Sequence, residues 1–146
     1  MMDSVRRMVE GFKDEPYILM WLLGNENNYG VVSNADKKPE AYYKFANEVA
    51  KMIKSIDPNH PVALCNGDTL YLDIFGKYAP DIDVYAANVY RGDYGFGAFW
   101  EQVRDAAGKP AFISEYGAPA YTKYLTLDEA EQLQANYYEG NWRDIE

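Results

Sequence analysis

Two glutamates follow apolar, strand-like segments at widely separated points of the chain. Glu26 comes after the apolar residues 17–23 through a Gly-Asn pair, and Glu115 directly follows the apolar residues 111–114. In parallel α/β folds the carboxyl ends of the strands share one edge, and active sites form there. The sequence therefore predicts that the two carboxyl groups meet at one edge of a sheet.

Two converging carboxyl groups can cleave a glycosidic bond with retention of configuration. One protonates the leaving oxygen and the other attacks the anomeric carbon, and this requires a separation of about 5 to 5.5 Å. The acid must stay protonated while the nucleophile stays ionised, a difference that neighbouring groups impose. Tyr90 and Arg91 follow the apolar residues 84–89, and we expect them to keep Glu115 ionised.

Other common catalytic arrangements lack their residues here. The sequence has one histidine, His60, in a turn between a predicted helix and strand, where we expect a structural or solvated role. It offers no His/Cys cluster for zinc, no glycine-rich phosphate loop and no Ser-His-Asp set that the strand order would assemble. We therefore expect neither a metal ion nor an organic cofactor.

Four apolar segments alternate with segments of helical period, as in a parallel α/β fold. The segments 17–23, 62–65, 84–89 and 111–114 resemble strands buried on both faces. Helices are predicted over 5–12, 39–56, 70–78 and 99–107, and after Thr126, which forms a capping box with Glu129. Leu127, Ala130, Leu133 and Tyr137 would share one face of that last helix. A single domain is expected over residues 1–146.

Two architectures fit this alternation. An open doubly wound sheet is natural at 146 residues, whereas a complete eight-fold barrel usually takes roughly 250. Length favours the open sheet, but the glutamates at two strand ends favour consecutive strands of a barrel. We therefore predict a partial (β/α)8 TIM barrel, a half-barrel of four parallel strands with helices.

Three stretches resemble the clan of retaining β-glycosidases built on (β/α)8 barrels, which includes β-galactosidases, β-glucuronidases, β-mannosidases, many endoglucanases and β-1,3-glucanosyltransferases. Gly24-Asn25-Glu26 after a Trp-containing strand is similar to the fourth-strand acid/base motif. The stretch 112–117, Phe-Ile-Ser-Glu-Tyr-Gly, is similar to the seventh-strand nucleophile motif. Asn88-Val89-Tyr90 resembles the sixth strand, whose tyrosine in the clan hydrogen-bonds the nucleophile. Counterparts of strands one to three and of strand eight are missing.

The resemblance implies roles for individual residues. Glu26 would be the acid/base and Glu115 the nucleophile, while Asn25 would bond the sugar 2-hydroxyl. Asn28 would line the pocket beside it, together with Asn27 and Tyr29. Substrate contacts are also expected from Tyr90, from Arg91 at the rim, and from Trp100, for which sugar stacking and simple packing both remain open.

Composition limits the possible partners. A formal net charge of -9 and a pI near 4.6 disfavour nucleic acid and anionic membranes, so a neutral or cationic partner fits better. The resemblance implies that this partner is a carbohydrate substrate. The single cysteine, Cys65, is expected to be a buried free thiol. We expect the chain to be soluble and to carry no export signal, and its sequence does not indicate a cellular compartment. Because four strands from a barrel leave two unpaired edges, we expect a homo-oligomer. The alternative is a non-catalytic half-barrel that binds carbohydrate or only self-associates.

Overall fold

The computed structural model describes residues 1–29, 35–92 and 94–146, and helices alternate with strands along it. In chain order the elements are α1 (Met2–Phe12), β1 (Trp21–Leu23), a 3₁₀ helix (Ala35–Lys37), α2 (Pro39–Ile56), β2 (Val62–Gly67), α3 (Leu72–Tyr78), β3 (Val84–Asn88), α4 (Phe99–Ala107), β4 (Ala111–Glu115) and α5 (Leu127–Ile145). The predicted alternation of strands and helices is therefore confirmed.

The four strands form one parallel sheet in which spatial order equals chain order. β1 pairs with β2, β2 with β3, and β3 with β4, every pair parallel. A doubly wound sheet would reverse its strand order at a switch point, whereas a barrel adds each new strand to the same side. The uniform order is that of a barrel arc, and it confirms the predicted partial (β/α)8 fold.

The two faces of the sheet differ in the size of their side chains. The face toward the helices carries the large core, in which Tyr43, Phe75 and Tyr85 are fully buried. The opposite face, which corresponds to the barrel interior, carries a small cluster built from Ala63, Cys65 and Ala86. Packing of helices on one side only is the arrangement expected of a barrel wall.

The helix boundaries follow local sequence rules. Pro39 stands in the first turn of α2, where its missing N–H costs no hydrogen bond. The predicted capping box of α5 is confirmed, with Glu129 N donating to Thr126 Oγ1 at 3.3 Å and Thr126 N donating to Glu129 Oε2 at 2.8 Å. Of the four residues expected to share one face of α5, Ala130 is buried and Leu133 and Tyr137 are half-buried, whereas Leu127 in the first turn is 63% exposed. None of the helices in the described ranges is long and apolar enough to span a membrane.

The first strand is shorter than predicted. Residues 17–23 were expected to be extended, but β1 contains only Trp21–Leu23, in register with β2 from Val62 onward. The preceding residues have no partner in β2, which leaves Tyr17 69% and Leu19 76% exposed. Among the described residues, β1 and β4 each pair on one side only, so both edges of the sheet are open.

Candidate active site

Glu26 lies in a tight turn that follows β1 at the carboxyl edge of the sheet. Gly24 has φ +65 and Glu26 itself has φ +52, a left-handed conformation that a non-glycine residue rarely adopts. The backbone N–H of Glu26 donates to the carbonyl of Cys65 at 3.1 Å, which ties the turn to β2. Such conformations cost on the order of 1–3 kcal/mol and persist where the surroundings hold them, as functional sites often do.

Asn28 holds this turn in place. Its Nδ2 donates to the carbonyl oxygens of Gly67 at 3.0 Å and Leu70 at 3.2 Å, and its Oδ1 accepts from the N–H of Gly67 at 2.7 Å. The side chain has no exposed surface. The expectation that Asn28 lines the substrate pocket is therefore corrected: its amide satisfies buried backbone groups, and in this structure no atom of it is left for a ligand.

Gly67 at the end of β2 leaves room for an aromatic ring that lies against it. A Cβ at this position would come within 1.9 Å of Cε2 of Tyr29. The Tyr29 ring covers the strand end, and it follows Glu26 closely in the chain. Burial raises the pKa of the Tyr29 phenol, and the negative charges of Asp68 and Glu26 raise it further.

Glu115 is the last residue of β4 and is exposed at the same edge. The register between β3 and β4 shifts at this point, because Ala87 pairs with Ile113 but Asn88 pairs with Glu115, leaving Ser114 as an extra residue. Val89 N donates to the carbonyl of Glu115 at 2.8 Å. Irregularities of this kind re-aim a side chain, and here Glu115 comes into register with Asn88.

Tyr90 reaches Glu115 across the strand ends. Its hydroxyl donates to Oε2 of Glu115 at 3.1 Å. Burial raises the pKa of the Tyr90 phenol, the hydrogen bond to Glu115 raises it further, and the charges of Glu115 and Glu26 add to the effect. The phenol is therefore a hydrogen-bond donor at neutral pH.

Both carboxylates act electrostatically on the same neighbours. Glu26 and Glu115 each raise the pKa of Tyr90, and each also raises the pKa of Cys65, which burial already raises more strongly. Glu26 and Glu115 therefore lie near enough to Tyr90 and Cys65 for their charges to act on both groups. The Cys65 thiol is buried and free, as expected.

Arg91 does not contact Glu115. Its Nε and Nη2 donate to the two carboxylate oxygens of Asp68 at 2.9 and 2.6 Å, and its Nη1 donates to the carbonyl of Phe96. The expectation that Arg91 keeps Glu115 ionised is corrected, because Asp68 already takes the guanidinium in a two-point pair. Arg91 instead ties the start of the loop 91–98 to the end of β2.

Trp100 lies in α4 and packs into the helix layer. Its ring meets Phe99 edge-on at 5.0 Å and Phe96 at 6.0 Å between centroids. Its Nε1 is buried and has no hydrogen-bond partner among the described residues. Of the two possibilities left open by the sequence, these contacts favour packing, and a sugar contact of Trp100 stays a prediction.

A polar network at the carboxyl edge links residues of all four strand ends, and no pattern in the sequence predicted it. Asn88 Nδ2 donates to Asn25 Oδ1 at 3.1 Å, and Ser114 Oγ donates to Asn88 Oδ1 at 2.7 Å. The thiol of Cys65 lies 3.2 Å from Asn88 Oδ1 and 3.3 Å from Ser114 Oγ.

Within the ranges the structure covers, no group of three or more His, Cys, Asp or Glu residues is placed to hold a metal ion.

An arc of parallel strands with two glutamates and a glutamate-bound tyrosine at its carboxyl edge is the arrangement of a glycosidase barrel. A comparison with protein-family models gives the same class, since "Glycosyl hydrolases family 2, TIM barrel domain" matches residues 1–144. The chain belongs to this family.

Individual relatives are consistent with that membership. The chain is 31% identical over 138 residues to a mannan endo-1,4-beta-mannosidase F of Aspergillus clavatus, covering 77% of this chain and 30% of the relative. It is 28% identical over 140 residues to beta-galactosidase 2 of Enterobacter cloacae, covering 96% of this chain and 11% of the relative. The chain thus spans less than a third of each of these two relatives.

Solved structures share the fold. A GH2 β-galacturonidase from Eisenbergiella tayi superimposes with a TM-score of 0.70 at 20% identity, covering 99% of this chain and 26% of that one. A β-D-glucuronidase of Dictyoglomus thermophilum gives 0.68 at 17% identity, again over 99% of this chain and 26% of the other. The likeness extends over nearly the whole chain, which shares its fold with about a quarter of each of these larger chains.

Proposed function

We propose that this chain carries the catalytic pair of a retaining β-glycosidase, with Glu26 as the acid/base and Glu115 as the nucleophile. The observation that carries the proposal is the hydrogen bond from Tyr90 to Glu115, at the carboxyl edge of the sheet where Glu26 also follows its strand. Names of relatives that include mannosidase, galactosidase and glucuronidase support a β-linked glycoside as the substrate class.

The proposed reaction has two displacements. Glu26 gives its proton to the leaving glycosidic oxygen while a carboxylate oxygen of Glu115 bonds to the anomeric carbon, and the glycosidic bond breaks. Glu26, now ionised, then takes a proton from water as the water oxygen attacks the same carbon and releases Glu115. Two inversions give net retention, and the geometry requires about 5 to 5.5 Å between the carboxyl groups.

Tyr90 has a defined part in this scheme. By donating to one oxygen of Glu115 it orients the carboxylate and leaves the other oxygen free to attack. Oriented nucleophiles that need not reorganise during the reaction account for much of enzymatic rate enhancement. Asn25, exposed beside Glu26, is the proposed contact for the sugar 2-hydroxyl.

We also propose that the isolated 146-residue chain self-associates. The sheet has an open edge at β1 and another at β4, and Leu22 in β1 is 48% exposed. On α5, Leu127 and Trp142 are 63% and 53% exposed. A chain that leaves strand edges and apolar side chains uncovered tends to pair with a second copy.

The test of the catalytic proposal is hydrolysis of a panel of aryl β-glycosides, including mannosides, galactosides and glucuronides, by the full protein that the gene encodes. Glu115→Ala should abolish turnover, since no other group forms the covalent intermediate, and azide should restore it with an inverted glycosyl azide as product. Glu26→Ala should mainly slow substrates with poor leaving groups. Glu10→Ala, which removes an exposed carboxylate on α1, is the matched control. Undiminished turnover by Glu115→Ala would refute the proposal.

A further inference from the structure

We infer that Asn88 is a positioning residue that fixes the side-chain amide of Asn25 with its NH₂ group toward the substrate, an inference that rests on the proposed function. Asn88 ends β3 and is only 3% exposed. It cannot contact a sugar itself, so any effect it has on the reaction must pass through a neighbour.

The direction of each hydrogen bond follows from the placement of the Asn88 amide, whose oxygen faces Ser114 and whose nitrogen faces Asn25. Ser114 Oγ donates to Asn88 Oδ1 at 2.7 Å, which leaves the Nδ2 of Asn88 as the end that faces β1. That Nδ2 donates to Oδ1 of Asn25 at 3.1 Å. Since an amide oxygen and nitrogen are on opposite arms of one planar group, the Nδ2 of Asn25 then points away from the network.

The Cys65 thiol reinforces this orientation. Burial raises its pKa, so it stays protonated, and its Sγ lies 3.2 Å from Asn88 Oδ1 and 3.6 Å from Asn25 Oδ1. A thiol is a weak donor with one proton, and both of its amide neighbours present oxygen to it. A flipped Asn25 would instead turn its NH₂ group toward the NH₂ group of Asn88, leaving two donors facing each other.

The consequence concerns what Asn25 can bind. With its Oδ1 engaged, its exposed end offers hydrogen-bond donors only, so the ligand group that meets it must be an acceptor, such as a lone pair of a sugar hydroxyl. Removal of Asn88 would free the Asn25 amide to rotate, and the contact would weaken without any change in Glu26 or Glu115.

The kinetic test uses the full protein and two aryl β-glycosides that differ only in the 2-hydroxyl. Asn88→Ala should lower the ratio of kcat/KM for the 2-hydroxy over the 2-deoxy substrate by about tenfold, the effect of one lost hydrogen bond of about 1.4 kcal/mol. The double variant Asn25→Ala/Asn88→Ala should show no lower ratio than Asn25→Ala, because both changes remove the same contact.

Asn66→Ala is the matched structural control. Asn66 is also a fully buried asparagine near a strand end, but it bonds to Tyr43 and to the carbonyls of Leu64 and Ala86 on the helix side. It should lose stability and keep the substrate ratio. An equal fall of the ratio in Asn66→Ala, or an unchanged ratio in Asn88→Ala, would overturn the inference.

A second readout does not depend on activity. In ¹⁵N NMR spectra, the side-chain NH₂ signal of Asn25 should exchange rapidly with water and that of Asn88 slowly, and Asn88→Ala should shift the Asn25 signal while Asn66→Ala should not. If the unsubstituted protein cleaves no glycoside of the panel, the proposed function fails, and this measurement alone decides the orientation. An Asn25 amide signal unaffected by Asn88→Ala would overturn the inference.

Discussion

Tyr90 and Glu115 stand at the ends of neighbouring strands and are joined by a hydrogen bond of 3.1 Å from the phenol to Oε2. The bond depends on the register shift between β3 and β4, which brings Glu115 level with Asn88 instead of one residue further along. The geometry makes Tyr90 the group that orients the proposed nucleophile.

Tyr90→Phe should therefore lower kcat by about 10- to 100-fold, because a hydrogen bond to a charged group contributes about 1.5–3 kcal/mol. Tyr17→Phe is the control, since Tyr17 is also exposed but precedes β1 at the opposite end of the sheet. The fold should be unchanged in both variants by circular dichroism. Equal rates for Tyr90→Phe and the parent would remove Tyr90 from the mechanism.

Gly67→Ala should destabilise the chain by about 1–3 kcal/mol, as overpacking does, because the new methyl would collide with the ring of Tyr29. Gly11→Ala provides the opposite case, since a Cβ at this position in α1 meets no atom within 4 Å and should stabilise the helix by roughly 0.5–1 kcal/mol. Urea unfolding of the two variants measures both. Similar stability for the two would show that the Tyr29 ring does not rest against β2.

The sequence predicted the fold from its alternation of apolar and helical segments, and it predicted Glu26, Glu115 and Tyr90 at strand ends because parallel strands bring their carboxyl ends together. It did not distinguish the roles of the neighbouring asparagines Asn25 and Asn28. Both follow the same strand in one polar turn, and only the bonds of Asn28 to Gly67 and Leu70 show that its amide turns inward.

The remaining differences come from contacts between distant parts of the chain. Arg91 follows Tyr90 directly, yet it pairs with Asp68 at the end of another strand. The link between Asn25, Asn88 and Ser114 joins three strands and becomes visible only when the register is known. Asp68 itself has φ +41 and directly follows β2, a conformation that no pattern in the sequence predicted.

Asp57 should make stability depend on pH at the opposite end of the sheet. It is 1% exposed and accepts from Trp21 Nε1 at 2.8 Å, and it lies 2.7 Å from His60 Nδ1. Burial alone would raise the pKa of Asp57, but the hydrogen bonds from Trp21, His60 and the backbone outweigh it, so the pKa is lowered. Because the pKa of Asp57 is lower in the folded chain than in the unfolded one, its ionised form stabilises the fold. This stabilisation is fully present above the unfolded-chain pKa of about 3.9 and is lost as the pH falls toward the folded-state pKa.

Asp57→Asn should therefore reduce the free energy of unfolding at pH 7 by about 1–3 kcal/mol and flatten its decline below about pH 4. Denaturant titrations between pH 7 and pH 3 measure this. Asp14→Asn, at an exposed carboxylate, should follow the parent curve. A variant at Asp57 that is as stable as the parent at pH 7 and as pH-sensitive below pH 4 would contradict the assignment.

Sedimentation velocity at micromolar concentration tests the proposed self-association of the isolated chain. We expect a dimer or larger species whose interface includes the β1 side, where Tyr17 and Leu19 are exposed, or β4. Leu19→Lys should shift the equilibrium toward monomer by placing a charge on an apolar edge. A stable, well-folded monomer that binds no hydrophobic dye would show that the open edges need no partner.

The central claim is that Glu115 becomes covalently bonded to the sugar, and trapping of that intermediate tests it most directly. A 2-deoxy-2-fluoro glycoside with a good leaving group, matched to the glycoside that the full protein cleaves, should inactivate it and add one fluoroglycosyl group to the intact mass. Peptide mass spectrometry should locate the label on Glu115, and Glu115→Gln should stay unlabelled. Label on another carboxylate, or turnover to an inverted product with no covalent adduct, would contradict the account.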